Sequence, residues 1–95
     1  MLTDNNERIP LGELGRFKGI TVDIFWFDTD QHNVPHIHAE YGEYKASVSL
    51  SGDVLAGGFP AKQLRELRAW LVLYEDELQV AWDKAVKGEN PGKIG

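Results

Sequence analysis

The sequence predicts one α+β domain in which a mostly antiparallel sheet of three to four strands packs on one long C-terminal α-helix. Three observations support this prediction. Apolar and polar residues alternate along short segments between residues 18 and 57, which is the period of strands. Residues typical of turns, such as glycine, proline and asparagine, separate those segments. After residue 60 the apolar spacing changes to three and four residues, which is the period of a helix.

The composition is typical of a small globular protein. Its 95 residues, 42% of them hydrophobic, suffice for one modest core. The lack of cysteine excludes a disulfide framework and a cysteine nucleophile, and it favours the reducing cytoplasm. The N-terminal residues have no apolar core and no basic start, so we expect no signal peptide. No stretch has the ~20 apolar residues of a membrane helix, so we expect no membrane contact. The net charge of −5 disfavours nucleic acid as a partner.

The domain is predicted to span residues 16–88, between a mobile N-terminal segment of residues 1–15 and a C-terminal tail of residues 89–95. Its first strand is predicted over Lys18–Phe27, which is rich in β-branched and aromatic residues. Residues 28–35 contain aspartate, asparagine and proline, and they are predicted to form a loop.

A β-hairpin is predicted next, with strands His36–Tyr41 and Tyr44–Leu50 around the two-residue turn Gly42-Glu43. The turn fixes the register, because a shift of one residue would move every side chain to the opposite face. The pairs expected on the core face are Tyr41 with Tyr44, Ala39 with Ala46 and Ile37 with Val48, and those on the opposite face are Glu40 with Lys45, His38 with Ser47 and His36 with Ser49. A short strand is predicted over Val54–Gly57.

An amphipathic helix of about 27 residues is predicted from Pro60 to Gly88. Its core stripe consists of Leu64, Leu67, Leu71, Tyr74, Leu78, Ala81 and Ala85, and its apolar surface is widened by Trp70, Leu73, Val80 and Trp82. Such a helix is roughly 40 Å long, whereas typical strands span only ~17–20 Å. We therefore expect it either to bend near Glu75–Glu77 or to pack its far half, around Val80 and Trp82, on another chain.

Three histidines, His32, His36 and His38, form the most suggestive cluster in the sequence. His36 and His38 lie on one face of a predicted strand, with Cα atoms ~6.5 Å apart. Two such imidazoles can bind a divalent transition metal, and His32 in the preceding loop can add a third ligand. Without a metal, His36 and His38 can act as general base and general acid on an RNA phosphodiester. The structural alternative is that both lie on the solvent face and are hydrogen-bonded to Ser49, Ser47 or loop carbonyls.

Two further patterns near this cluster suggest ligands. His36-x-His38 followed by Glu43 resembles the first metal motif of cupins, but Leu50 stands where that motif has glycine and the second motif is absent. Phe25 and Phe27 share a face of the first predicted strand and could stack on unpaired bases. Such an aromatic face is more often covered by a neighbouring segment or by a partner subunit.

The histidine stretch His32–His38, read with its surroundings, resembles the DUF4160 family of small bacterial proteins. The similarity covers nearly the whole chain, including the turn at Leu50–Leu55 and a helix that ends near Trp82. Val34 replaces a usual proline, and Tyr74 stands where the family often has histidine. The resemblance implies no established activity. The family's gene arrangements, which look like toxin–antitoxin modules, imply a protein partner and leave RNA or DNA open as a further one.

The function predicted from these observations is that of a cytoplasmic binding protein in a toxin–antitoxin-like pair. Its contact is expected through the C-terminal helix, either with a protein partner or with further copies of the chain in a homo-oligomer. The alternative is a small hydrolase or ribonuclease that uses His36 and His38, with or without a divalent transition metal.

Overall fold

A computed structural model describes residues 9–26 and 34–94 of the chain. The strands are β1 (Ile9–Phe17), β2 (Ile20–Trp26), β3 (His36–Tyr41), β4 (Tyr44–Ser49) and β5 (Val54–Gly57), and the helices are α1 (Ala61–Leu73) and α2 (Glu75–Val86). The strands lie in one sheet in the order of the chain, and each pairs antiparallel with its neighbours. The predicted α+β class is therefore confirmed.

The number of strands is larger than predicted, because residues 9–15 belong to β1 and not to a loop. A two-residue turn joins β1 to β2, with Lys18 at φ 48° and Gly19 at φ 79°. Positive φ at both central positions is the signature of a type I′ hairpin turn. Gly15 lets β1 pass close to α1, since a Cβ at this position would lie 2.8 Å from the ring of Trp70.

The register of the β3–β4 hairpin is confirmed in all six predicted pairs. Gly42 occupies the first central position of the turn with φ 58°, a conformation that glycine adopts without steric cost. On the core face, the predicted inner residues Ile37, Ala39, Ala46 and Val48 are buried. The prediction is wrong for Tyr44, which is 52% exposed, because its pair lies beside the turn at the end of the hairpin.

The predicted single helix is two helices, interrupted at Tyr74 (φ −113°, ψ 30°). The interruption lies one residue before the predicted bend at Glu75–Glu77. Backbone hydrogen bonds continue across it, from the Tyr74 N–H to the carbonyl of Trp70 and from the Leu78 N–H to the carbonyl of Tyr74. The two helices therefore follow each other closely along the sheet.

The core lies between the sheet and the two helices. Its buried apolar side chains come from β1 to β4, both helices and the C-terminal segment: Leu14, Ile20, Val22, Ile24, Ile37, Ala39, Ala46, Val48, Leu67, Trp70, Leu71, Leu78, Ala81, Trp82, Ala85 and Ile94. At an average benefit of about 25 cal/mol per Å² of apolar surface removed from water, this burial is the main favourable contribution to folding. In the described part of the chain, neither helix is long and apolar enough to cross a membrane.

The C-terminal residues 89–94 contain no helix or strand, but they are attached to the sheet. The Ile94 N–H donates to the carbonyl of Leu14 in β1 over 2.7 Å, and the Ile94 side chain is buried. Nearby, the rings of Phe17 and Trp70 stack with centroids 5.1 Å apart. The predicted tail thus covers part of β1 and joins the core.

Candidate functional site

The face of the sheet opposite to the core carries a row of polar side chains. Asp23 in β2 pairs with His38 in β3, and His38 pairs with Ser47 in β4. Because paired residues of antiparallel strands project to the same side, these three side chains are neighbours. Together with the next pair, Glu40 and Lys45, they line a depression of about 370 Å³. We call this depression the open-face site.

His38 lies half-buried in the open-face site, in hydrogen-bonding distance of a hydroxyl group. Its Nδ1 atom is 3.3 Å from Oγ of Ser47. A neutral imidazole can accept the proton of such a hydroxyl, which is the arrangement by which histidine acts as a general base. The predicted proximity of the two strand histidines is also present, with the ring centroids of His36 and His38 5.2 Å apart.

His36 differs from His38 because it has no exposed surface. Its Nδ1 atom lies 2.8 Å from the carbonyl oxygen of Val34. Since a carbonyl can only accept a hydrogen bond, Nδ1 carries the proton and donates it. The ring also packs on Trp82 of α2, with centroids 5.0 Å apart. His36 therefore connects the beginning of β3 to the helical layer, and no substrate can reach it in this conformation.

Because Trp82 packs on His36, the apolar surface expected around Val80 and Trp82 is only partly present. Trp82 is only 7% exposed, so the expectation of an apolar surface there is wrong for this residue. Val80 is 53% exposed and meets the expectation. The helical periodicity places the two residues on different sides of α2, since they are two positions apart.

The metal site proposed from His32, His36 and His38 has only two of its ligands in the described structure, because His32 lies outside the described residues. Within residues 9–26 and 34–94, no group of three or more histidine, aspartate or glutamate side chains is arranged to hold a metal ion. Phe27 and the side chain of Phe25, the candidates for base stacking, also lie outside the described part.

The β4–β5 turn contains polar contacts that the sequence analysis missed. The backbone N–H of Asp53 donates to Oγ of Ser49 over 2.9 Å, and the hydroxyls of Ser49 and Ser51 are also 2.9 Å apart. Arg68 of α1 donates from Nε to the carbonyl of Gly52 over 2.8 Å. The serines and the aspartate around Gly52 are typical of a turn, but the contact with α1 has no local sequence signal.

A second feature, which the sequence predicts only around Val80, is the solvent-facing side of the two helices. Val72 is 75% exposed, Leu73 is 69% exposed, and Ala69 and Val80 are exposed as well. We call these four residues the outer helical surface. The signal in the sequence is the presence of apolar residues off the core stripe, which the sequence analysis noted for Leu73 and Val80 but not for Val72.

Comparison with known protein families gives one result. The family model described as a domain of unknown function, DUF4160, matches residues 19–83, which is more than half of the chain. The chain therefore belongs to the DUF4160 family, and the resemblance of its histidine stretch is confirmed. Comparisons with curated proteins and with solved structures find no match.

Proposed function

We propose that this member of the DUF4160 family is a cytoplasmic binding protein that acts through a protein contact on its outer helical surface. The observation that supports this function is the exposure of three large aliphatic side chains, Val72, Leu73 and Val80. Single exposed apolar residues are common on any protein. Large apolar side chains grouped on one helical surface are instead typical of a site of protein contact.

The placement of these residues supports a single patch. Leu73 and Val80 are seven positions apart, which corresponds to nearly two turns of helix. The hydrogen bonds through Tyr74 continue the helical ladder between them. The two side chains therefore project in similar directions, one on each side of the interruption. In a toxin–antitoxin-like pair, which the family resemblance implies, this surface would be covered either by the protein partner or by a further copy of the chain.

The proposal is tested by photo-crosslinking in the native host. A photoreactive phenylalanine analogue at position 73 should give a discrete protein adduct, because this position lies in the centre of the proposed contact. The matched control is the same analogue at position 44, since Tyr44 is also exposed but lies in the β3–β4 hairpin. Absence of an adduct at position 73, or the same adducts at both positions, would contradict the proposal.

A second candidate function is a histidine-dependent hydrolase or ribonuclease, and the 3.3 Å contact between His38 and Ser47 supports it. In this function His38 is the general base, acting either on Ser47 or on a hydroxyl of the substrate, and Asp23 is its neighbour in the adjacent strand. Because His36 has no exposed surface, it would support the fold rather than contact the substrate.

For this second function we expect hydrolysis of an RNA oligonucleotide or of an activated ester that falls at least about 100-fold in His38→Ala. The matched control is Lys62→Ala, an exposed residue of α1 outside the open-face site, which should keep full activity. Assays with added zinc and with a chelator test whether a metal contributes. Wild-type turnover no higher than that of His38→Ala would exclude the hydrolase.

A further inference from the structure

We infer that the outer helical surface binds a second copy of this chain, with the two pairs of helices antiparallel across a twofold axis. This inference rests on the proposed function and names its partner. Its first basis is the charge of the two helices. Helix α1 has three basic side chains and one acidic side chain, whereas α2 has four acidic side chains and one basic side chain.

In an antiparallel arrangement, helices of opposite net charge meet at both ends of the contact. In a twofold contact the same surface is used on both copies, so α1 of one copy lies beside α2 of the other at both ends. The net positive helix then meets the net negative helix, whereas a parallel arrangement would bring like charges together. The charges of the helical pair are therefore complementary to those of a second helical pair that runs in the opposite direction.

The positions of individual charges agree with this arrangement. Arg65 and Asp83 are exposed and 18 residues apart, which is five full turns of an α-helix. They therefore project in about the same direction, on the same flank of the outer helical surface. In an antiparallel pair centred near Tyr74, this flank of one copy runs alongside the same flank of the other copy. Arg65 of each copy then lies opposite Asp83 of the other.

The apolar residues of the surface occupy the middle of this contact. Leu73 is adjacent to the centre of the helical segment, which extends from Ala61 to Val86. Under twofold symmetry, Leu73 of one copy approaches Leu73 of the other, with Ala69 and Val80 on either side. Asp76 is also exposed and lies four residues from both Val72 and Val80, so the centre of the contact is apolar except for this carboxylate, and the other charged residues lie at the rim.

The mass of the full-length protein in solution tests the inference, measured by sedimentation equilibrium over a range of concentrations. We expect a reversible dimer of twice 10.7 kDa. Leu73→Glu should make the protein monomeric, whereas Tyr44→Glu, at the exposed hairpin, should remain dimeric. Circular dichroism checks that each variant is folded. A wild-type protein that remains monomeric at all concentrations overturns the inference.

Charge reversal tests the antiparallel orientation. Arg65→Asp and Asp83→Arg should each raise the dissociation constant of the dimer by about tenfold or more at low salt, because each places like charges together. The double variant Arg65→Asp/Asp83→Arg should recover the wild-type value. A double variant as weak as the single variants overturns the antiparallel pairing.

The two experiments distinguish a wrong identity of the partner from a wrong proposed function. If position 73 crosslinks in cells to a different protein while the purified chain is monomeric, the second copy is excluded and the binding function is retained. If position 73 gives no adduct in cells, the binding function itself is contradicted, whatever the mass of the purified protein.

Discussion

Gly57→Ala is expected to lower the free energy of unfolding by about 3 kcal/mol or more. Gly57 has φ 75°, a conformation that is unfavourable for alanine. In addition, a Cβ at this position would overlap the backbone carbonyl oxygen of Lys45 in the neighbouring strand. Because that contact is with backbone, it can be relieved only by moving β5 away from β4. Urea or thermal denaturation of the purified protein measures the loss.

The adjacent Gly58 provides a matched control. A Cβ added at Gly58 meets no heavy atom within 4 Å, and its φ lies outside the left-handed region. Gly58→Ala should therefore change the free energy of unfolding by only about 0.5 kcal/mol or less. Equal losses in the two variants would show that β5 does not approach β4 in the manner described here.

His36→Ala is expected to lower the free energy of unfolding by about 3 kcal/mol. The substitution removes a fully buried ring, leaves a cavity beside Trp82 and deprives the carbonyl of Val34 of its hydrogen-bond donor. His38→Ala should cost about 1 kcal/mol or less, because the His38 side chain is only half-buried. Chemical denaturation of both variants measures the difference.

His36→Phe separates packing from hydrogen bonding at this position. It fills most of the space of the imidazole but cannot donate to Val34, so we expect a loss of about 1–2 kcal/mol. If His36→Ala is as stable as His38→Ala, the structural role of His36 is refuted. The comparison also matters for function, since a phenotype of His36→Ala must be corrected for unfolded protein before it is attributed to catalysis.

The hairpin was the part of the fold that could be predicted in most detail. Alternating residues on both sides of Gly42-Glu43 allowed only one register that kept apolar pairs together, and that register is present. β1 could not be predicted in the same way, because Pro10, Gly12 and Gly15 interrupt its alternation. Its existence depends on pairing with β2 and on the space that Gly15 leaves for Trp70, which local patterns do not encode.

The candidate site was predictable in its spacing but not in its burial. Two histidines at alternate positions of a strand must lie on one side, and the rings of His36 and His38 are indeed neighbours. Alternation alone would give both rings the same exposure. His36 is instead covered by Trp82, a residue 46 positions later in the chain, and this contact depends on how α2 crosses the sheet.

The order of the strands in the sheet also bears on how the chain reaches its folded state. Every strand pairs with the strand next to it in sequence, and two-residue turns make two of the four connections. The entropy lost in closing a loop grows with its length, so each hairpin brings together segments that are already close. Small domains whose contacts are local in this sense fold faster than those that must first join distant parts of the chain. The meander therefore favours a folding route that assembles the sheet hairpin by hairpin, with the helices supplying the more distant contacts.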